Sequence, residues 1–300
     1  MTSHDAVDSI SPQTPLVEAA VTRLARAAAE SGGSFDHLAA AARAEADAQP
    51  AMAAFVALGT RALLVARKAQ DESAPPAEAA ARVVAALEAW RRDFVLAGDE
   101  IVRRAGELLP TSGWVATTTR SSLVERALLA AHAGGRPVQV LCSESRPMNE
   151  GRALAANLAA AGVTTWLAVD GALGLLLPQA GALWLGADAI RERSFVGKAG
   201  VYGLLLVARE MNVPAYVLAQ RVKFLPDRCR RLTLPRRDPA EVWPDAPERT
   251  HVVNVPFEEA PLSLVRGVLT EGGFLGPREI EDAAGLAQVA AELREPSPPA

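Results

Sequence analysis

The chain has 300 residues, half of them hydrophobic, and a formal net charge of −4. That length can bury a large core in one large or two modest domains, and the charge supplies no global basic field, so direct nucleic-acid binding is not expected. Cys142 and Cys229 make neither a metal pattern nor a disulfide framework, every apolar run is broken before membrane-spanning length, and the opening MTSHDAVDSISPQ has no secretory leader. A cytoplasmic protein with no membrane partner is therefore expected.

Residues 1–14 are polar and read as a mobile tail. Residues 15–110 are alanine-rich with apolar residues at helical spacing, which predicts a helical domain. Its breaks are Gly32-Gly33 and the ESAPP segment, which precedes a long amphipathic helix over 76–105. Arg61, Arg67 and Lys68 read as solvated charges on these helices.

From residue 111 the period changes. Strands are expected at 113–117, 138–142, 163–169, 182–186 and 215–218, with helices over 121–132, 149–161, 171–177 and 199–211 between them. Ser122 with Glu125 predicts a capping box on the first of these helices. The alternation with short links predicts an α/β fold: an amino-terminal helical domain followed by a Rossmann-like, doubly wound parallel-sheet domain over 111–290. Residues 226–250 are rich in proline and arginine without a period. Their Arg228, Arg230, Arg231, Arg236 and Arg237 either close over an anionic ligand or form a solvated or oligomer-contacting loop. A last strand is expected over 251–255 and a helix over 262–271, before a mobile tail at 291–300.

Ligands of open α/β sheets bind at the carboxyl ends of the strands, where helix starts present free N–H groups to anions. The expected strand ends bring Thr117-Thr118-Thr119-Arg120, then Glu144-Ser145-Arg146-Pro147 followed by Glu150-Gly151-Arg152, then Asp188 with Lys198, and Lys223 to that edge. Lysine is scarce in this chain, with only Lys68, Lys198 and Lys223, so Lys198, expected to open a helix, and Lys223, after a strand, are notable as point charges for one phosphate oxygen. Asp188 reads either as the cap of a following turn or as an acid or base. Glu144 and Arg146 read as ligand groups or as a pair with each other, and Cys142 as a small core residue. No metal site, Walker loop, dinucleotide fingerprint or Ser-His-Asp set is evident, so no cofactor is expected.

The segments LCSESRPMNEGRALAANLAAAGVTTWLAVDGA, WLGADAIRERSFVGKAGVYGLLLVAREMNVPAYVLAQRVKF and NVPFEEAPLSLVRGVLTEGGFL are distinctive. They resemble the superfamily that joins the alpha, beta and delta subunits of translation initiation factor 2B with methylthioribose-1-phosphate isomerase and ribose-1,5-bisphosphate isomerase. The resemblance runs from residue 49 to residue 276. It implies a helical domain before a Rossmann-like domain, a homodimer or larger homo-oligomer, and a cleft for a phosphorylated sugar or nucleotide. It places the isomerases' proton-donating aspartate on Asp188 and their cysteine on Thr119. Their asparagine-lysine pair falls on Gly197-Lys198, and their glutamine-glycine on Glu150-Gly151. A threonine cannot supply thiolate chemistry, so the expected role is ligand binding by Thr119, Arg146, Glu150, Gly151, Lys198 and Lys223 around Asp188. An aldose-ketose isomerase acting on a ribose phosphate, and a regulatory subunit of a translation-initiation assembly, are the alternatives.

Overall fold

A computed structural model describes residues 13–30, 34–229 and 232–294. The alanine-rich segment folds as α1 (Gln13–Glu30), α2 (Phe35–Ala48), α3 (Ala53–Asp71) and α4 (Pro76–Ala105). Pro76 starts α4 in the position where a missing N–H costs nothing. The expected tails at 1–14 and 291–300 lie outside the described residues for 1–12 and 295–300, as does the break at Gly32-Gly33; Gln13 already belongs to α1.

The rest alternates: β1 (Trp114–Thr117), α5 (Ser122–Ala133), β2 (Gln139–Ser143), α6 (Glu150–Ala160), β3 (Thr164–Ala168), the single turn α7 (Leu173–Leu176) and β4 (Ala180–Gly186). Then follow β5 (Ala189–Ile190), β6 (Ser194–Lys198), α8 (Val201–Glu210), β7 (Ala215–Leu218), β8 (Phe257–Pro261), β9 (Gly267–Thr270), β10 (Gly273–Leu275) and α9 (Pro277–Leu286). The main sheet has the order β10-β9-β7-β4-β1-β2-β3 and is parallel except for β10 against β9. A second, antiparallel sheet has the order β5-β6-β8.

Alternating side chains explain why the main sheet is covered on both faces. On β4, Leu183 and Leu185 enter a core with α8 and α9, whereas Ala182 and Trp184 enter one with α4, α5 and α6. The helical segment has its own core, but that core also contains Ala189, Val196, Leu225 and Phe257 from the sheet region.

Two expected elements are corrected. Residues 251–255 are not a strand: they form no regular element, and only Asn254 among them is buried. Residues 262–271 are not a helix but a short 3-10 turn, Leu262–Leu264, followed by β9. A Cβ on Gly267 would lie 2.3 Å from the Leu275 carbonyl oxygen, so the glycine there serves the β9–β10 hairpin rather than breaking a helix. The small sheet of β5, β6 and β8 was not expected at all, and it moves Lys198 from a helix start to a strand end. The capping box is also absent: Ser121 is the residue before α5 and its side chain makes no cap. Glu125 instead accepts from Arg120 Nε and Asn157 Nδ2, both at 2.7 Å.

Candidate functional site

At the carboxyl ends of β1, β2 and β3 the structure has a cleft of about 410 Å3, open to solvent, lined in part by Thr118, Ser143, Ser145, Arg146, Asp170 and Lys198. Its wall is the β2–α6 connection. There the backbone turns through positive φ at Ser145 (61°) and Asn149 (58°), a conformation that non-glycine residues adopt at a cost. Asp170, just after β3, accepts the Ser145 N–H on Oδ1 and the Arg146 N–H on Oδ2, each at 2.7 Å. Ser143 Oγ donates to the Thr118 carbonyl at 2.8 Å and ties the β1 loop to the β2 end. Gly151 lets α6 start against that end: a Cβ there would fall 1.7 Å from the Ser143 carbonyl oxygen.

Lys198, which lines the cleft, donates from Nζ to Glu150 Oε1 at 2.7 Å, with both side chains only 9% exposed. The other carboxylate oxygen, Glu150 Oε2, is buried and has no hydrogen-bond partner among the described residues, and the same holds for Ser145 Oγ and Asn149 Oδ1. Arg146 is exposed and one of its guanidinium nitrogens, Nη2, donates to the Val242 carbonyl at 3.0 Å. Glu144 pairs with Arg152 at 2.7 Å rather than with Arg146. Cys142 is buried in the core, and burial pushes its thiol up to about 11.

Of the expected site residues only Arg146 and Lys198 line this cleft; Glu150, Gly151, Asp188, Thr119 and Lys223 sit beside it. β4 ends at Gly186, where a Cβ would meet Ser121 Oγ at 2.5 Å, so the loop carrying Thr119 packs on the GAD turn. The Asp188 backbone is pinned from both sides: its N–H donates to Val196 O at 2.9 Å, and its carbonyl accepts the Ala53 N–H at 3.0 Å as α3 begins. The chain runs straight on into β5, so the Asp188 carboxylate has no following turn to cap. Lys223 is buried and its ammonium donates to the Ala187 carbonyl at 2.8 Å, next to Asp188. Burial raises the proton affinity of the Asp188 carboxyl, against the charges of Lys223 and Lys198. Burial likewise lowers Lys223 to about 8, opposed by Asp188.

The arginine-bearing segment reaches Arg146, on the cleft's lining, through the Val242 carbonyl. Arg237 grips Glu241 through Nε at 3.0 Å, and Asn254 Nδ2 donates to the Asp238 carbonyl at 2.9 Å and to Glu241 Oε2 at 2.8 Å. These contacts hold the Glu241 carboxyl below the usual range, the Arg237 hydrogen bond most of all, and the Lys198 charge reaches it as well. Arg237 thus serves the fold of the segment, and Arg228 donates to the Gly285 carbonyl at 3.1 Å; Arg230 and Arg231 lie outside the described residues. Sequence reasoning missed Asp170 and Glu241. Asp170 could have been found as a polar residue placed directly after a strand at the same sheet edge, whereas Glu241 comes to the cleft only through the path of the long segment.

Among the described residues there is no group of His, Cys, Asp and Glu able to hold a metal ion, and no helix long and apolar enough to cross a membrane. The model of the initiation factor 2 subunit family matches residues 16–277. The chain is 31% identical over 219 residues to the ribose 1,5-bisphosphate isomerase of Haloterrigena turkmenica, a match covering 68% of this chain and 67% of that one. It is 30% identical over 199 residues to the methylthioribose-1-phosphate isomerase of Desulforamulus reducens, covering 60% of this chain and 58% of the relative, less than two thirds of its length. A solved structure of Pyrococcus horikoshii translation initiation factor eIF-2B shares the fold with a TM-score of 0.72 and 26% identity, over 88% of this chain and 90% of that one. With most of its length matched by the family and its helices and sheet arranged as in that structure, the chain belongs to the initiation factor 2 subunit family.

Proposed function

We propose that the cleft binds a phosphorylated sugar or nucleotide, with Arg146 and Lys198 facing phosphate and Glu150 and Ser145 facing hydroxyls. The observation that carries this reading is the set of buried polar atoms without partners, Ser145 Oγ and Glu150 Oε2, beside a cleft lined by two cations. Buried polar groups are nearly always satisfied, so a wall of unsatisfied ones marks where another molecule supplies the partners. Gly151 and Asp170 shape that wall, and Thr119 and Asp188 flank it with Lys223 behind. A homodimer or larger homo-oligomer belongs to this reading.

Thermal unfolding against a panel of sugar phosphates and nucleoside monophosphates tests it. A ligand of the native state alone adds about 2.7 kcal/mol at a hundredfold excess over Kd. The shift is expected to disappear in Lys198→Ala, and in Arg146→Ala as a second variant that leaves the buried pair intact. No shift with any compound would remove the proposal.

A second reading, aldose-ketose isomerisation of a ribose phosphate, is favoured by one observation. Asp188 has a raised proton affinity beside Lys223, whose own is lowered to about 8, an arrangement suited to proton transfer near neutral pH. Turnover of ribose 1,5-bisphosphate that is lost in Asp188→Asn would support it. Retained binding without turnover would leave the cleft as a binding site, in keeping with Thr119, a neutral hydroxyl, at the position of the isomerases' thiol.

A further inference from the structure

The anion-holding devices of this sheet edge are partly occupied by the protein's own acceptors. Lys198, the best-buried cation of the cleft, is held by Glu150 at 2.7 Å. The backbone N–H groups of Ser145 and Arg146 are taken by Asp170. One N–H at the start of α8 is taken too: that of Tyr202 donates to Glu258 Oε1 at 2.6 Å. The Lys198 charge also reaches Glu241, which Arg237 holds. Among the described residues the Arg146 guanidinium gives only its Nη2, to the Val242 carbonyl, and a guanidinium has five N–H donors in all. In charge, the lining cations Arg146 and Lys198 are matched by Asp170 and by Glu150 on Lys198.

Resting on the reading above, we infer that the cleft selects a ligand with a single phosphate, and that Glu150 is the residue that excludes a second one. The phosphate takes the spare donors of Arg146 and the ammonium donors that Lys198 keeps beside its bond to Glu150. Glu150 Oε2 and Ser145 Oγ, buried and without partners among the described residues, take ligand hydroxyls. A carboxylate only accepts hydrogen bonds, so Glu150 welcomes a hydroxyl and repels a phosphate oxygen brought to the same place. Discrimination then comes from a like-charge contact built against the wrong ligand as much as from contacts to the right one.

The test is calorimetric titration of the full chain with ribose 1-phosphate, ribose 5-phosphate, ribose 1,5-bisphosphate and ribose. The wild-type protein is expected to bind one of the monophosphates at least about tenfold more tightly than the bisphosphate, the size of effect that a single unfavourable charge contact produces. Glu150→Gln, which keeps the shape and removes the charge, is expected to bring the bisphosphate up by about the same factor. A wild-type protein that binds the bisphosphate as tightly as either monophosphate overturns the inference while leaving the cleft a phosphate site. An unchanged ratio in Glu150→Gln overturns the role of Glu150. Binding of no phosphorylated compound overturns both this inference and the function on which it rests. Should the variant fail to fold, the wild-type ratio alone decides the selectivity.

Discussion

Burial moves the proton affinities of Asp188 and Lys223 in opposite directions, and the lysine turns that into a measurable pH dependence. Its folded value is about 8 against an ordinary 10.5. Between those values the unfolded chain binds more protons than the folded one, so this group makes stability rise with pH across the window. Cys142 acts the other way above its ordinary 9.0, since its buried thiol keeps the proton up to about 11 while the unfolded thiol loses it. The difference between wild type and Lys223→Met isolates the lysine. Chemical denaturation at pH 8 to 10.5 is expected to show the wild type gaining stability relative to the variant as pH rises, and parallel curves would mean that the ammonium is not desolvated.

The β2–α6 connection shows how one missing side chain positions an element. α6 begins so close to the end of β2 that a Cβ on Gly151 would overlap the Ser143 carbonyl oxygen. Gly151→Ala must push α6 away and carry Glu150 off Lys198. The variant is expected to lose at least the roughly 1–3 kcal/mol typical of overpacking, read as a lower denaturation midpoint in urea, together with weaker binding of the cleft's ligand. A stable variant with wild-type binding would show that α6 has slack at this point. The segment over 236–256 is held differently, by the Asn254 side chain and the Arg237–Glu241 pair rather than by a sheet ladder, and its two ends meet where the Arg237 N–H donates to the Asn254 carbonyl at 3.0 Å.

The helical segment and the sheet share a core. Ala189, Val196, Leu225 and Phe257 pack with Leu58, Leu63 and Trp90, the Ala53 N–H bonds to the Asp188 carbonyl, and Gln220 Nε2 donates to the Phe94 carbonyl at 3.4 Å. Exposing that shared apolar surface by unfolding either part alone would forfeit its burial, at about 25 cal/mol per Å2. A single cooperative unfolding transition is therefore expected for the whole chain, with calorimetric and van't Hoff enthalpies in agreement. Two resolved transitions would show instead that the helices are an independent unit, and that the contact of α3 with Asp188 is made by docking.

The sequence by itself determined the α/β class, the order of the helices and central strands, and the burial of Cys142, because periodicity, chain breaks and apolar runs are local properties. It also pointed to the sheet edge where Arg146, Glu150 and Lys198 meet, since strand ends in such folds lie together. The β5-β6-β8 sheet, β9 and the path of residues 236–256 were decided by tertiary structure. The strands among them are short, have no period of their own and form only when a distant partner, such as β8 for β6, offers a ladder. The pairing of Lys198 with Glu150 is of the same kind: the two are 48 positions apart in sequence, and only the packing of α6 against β2 and of β6 against β8 brings the ammonium to the carboxylate. Local chemistry names the residues at such an edge, but which of them neutralises which depends on distances that the folded chain alone sets.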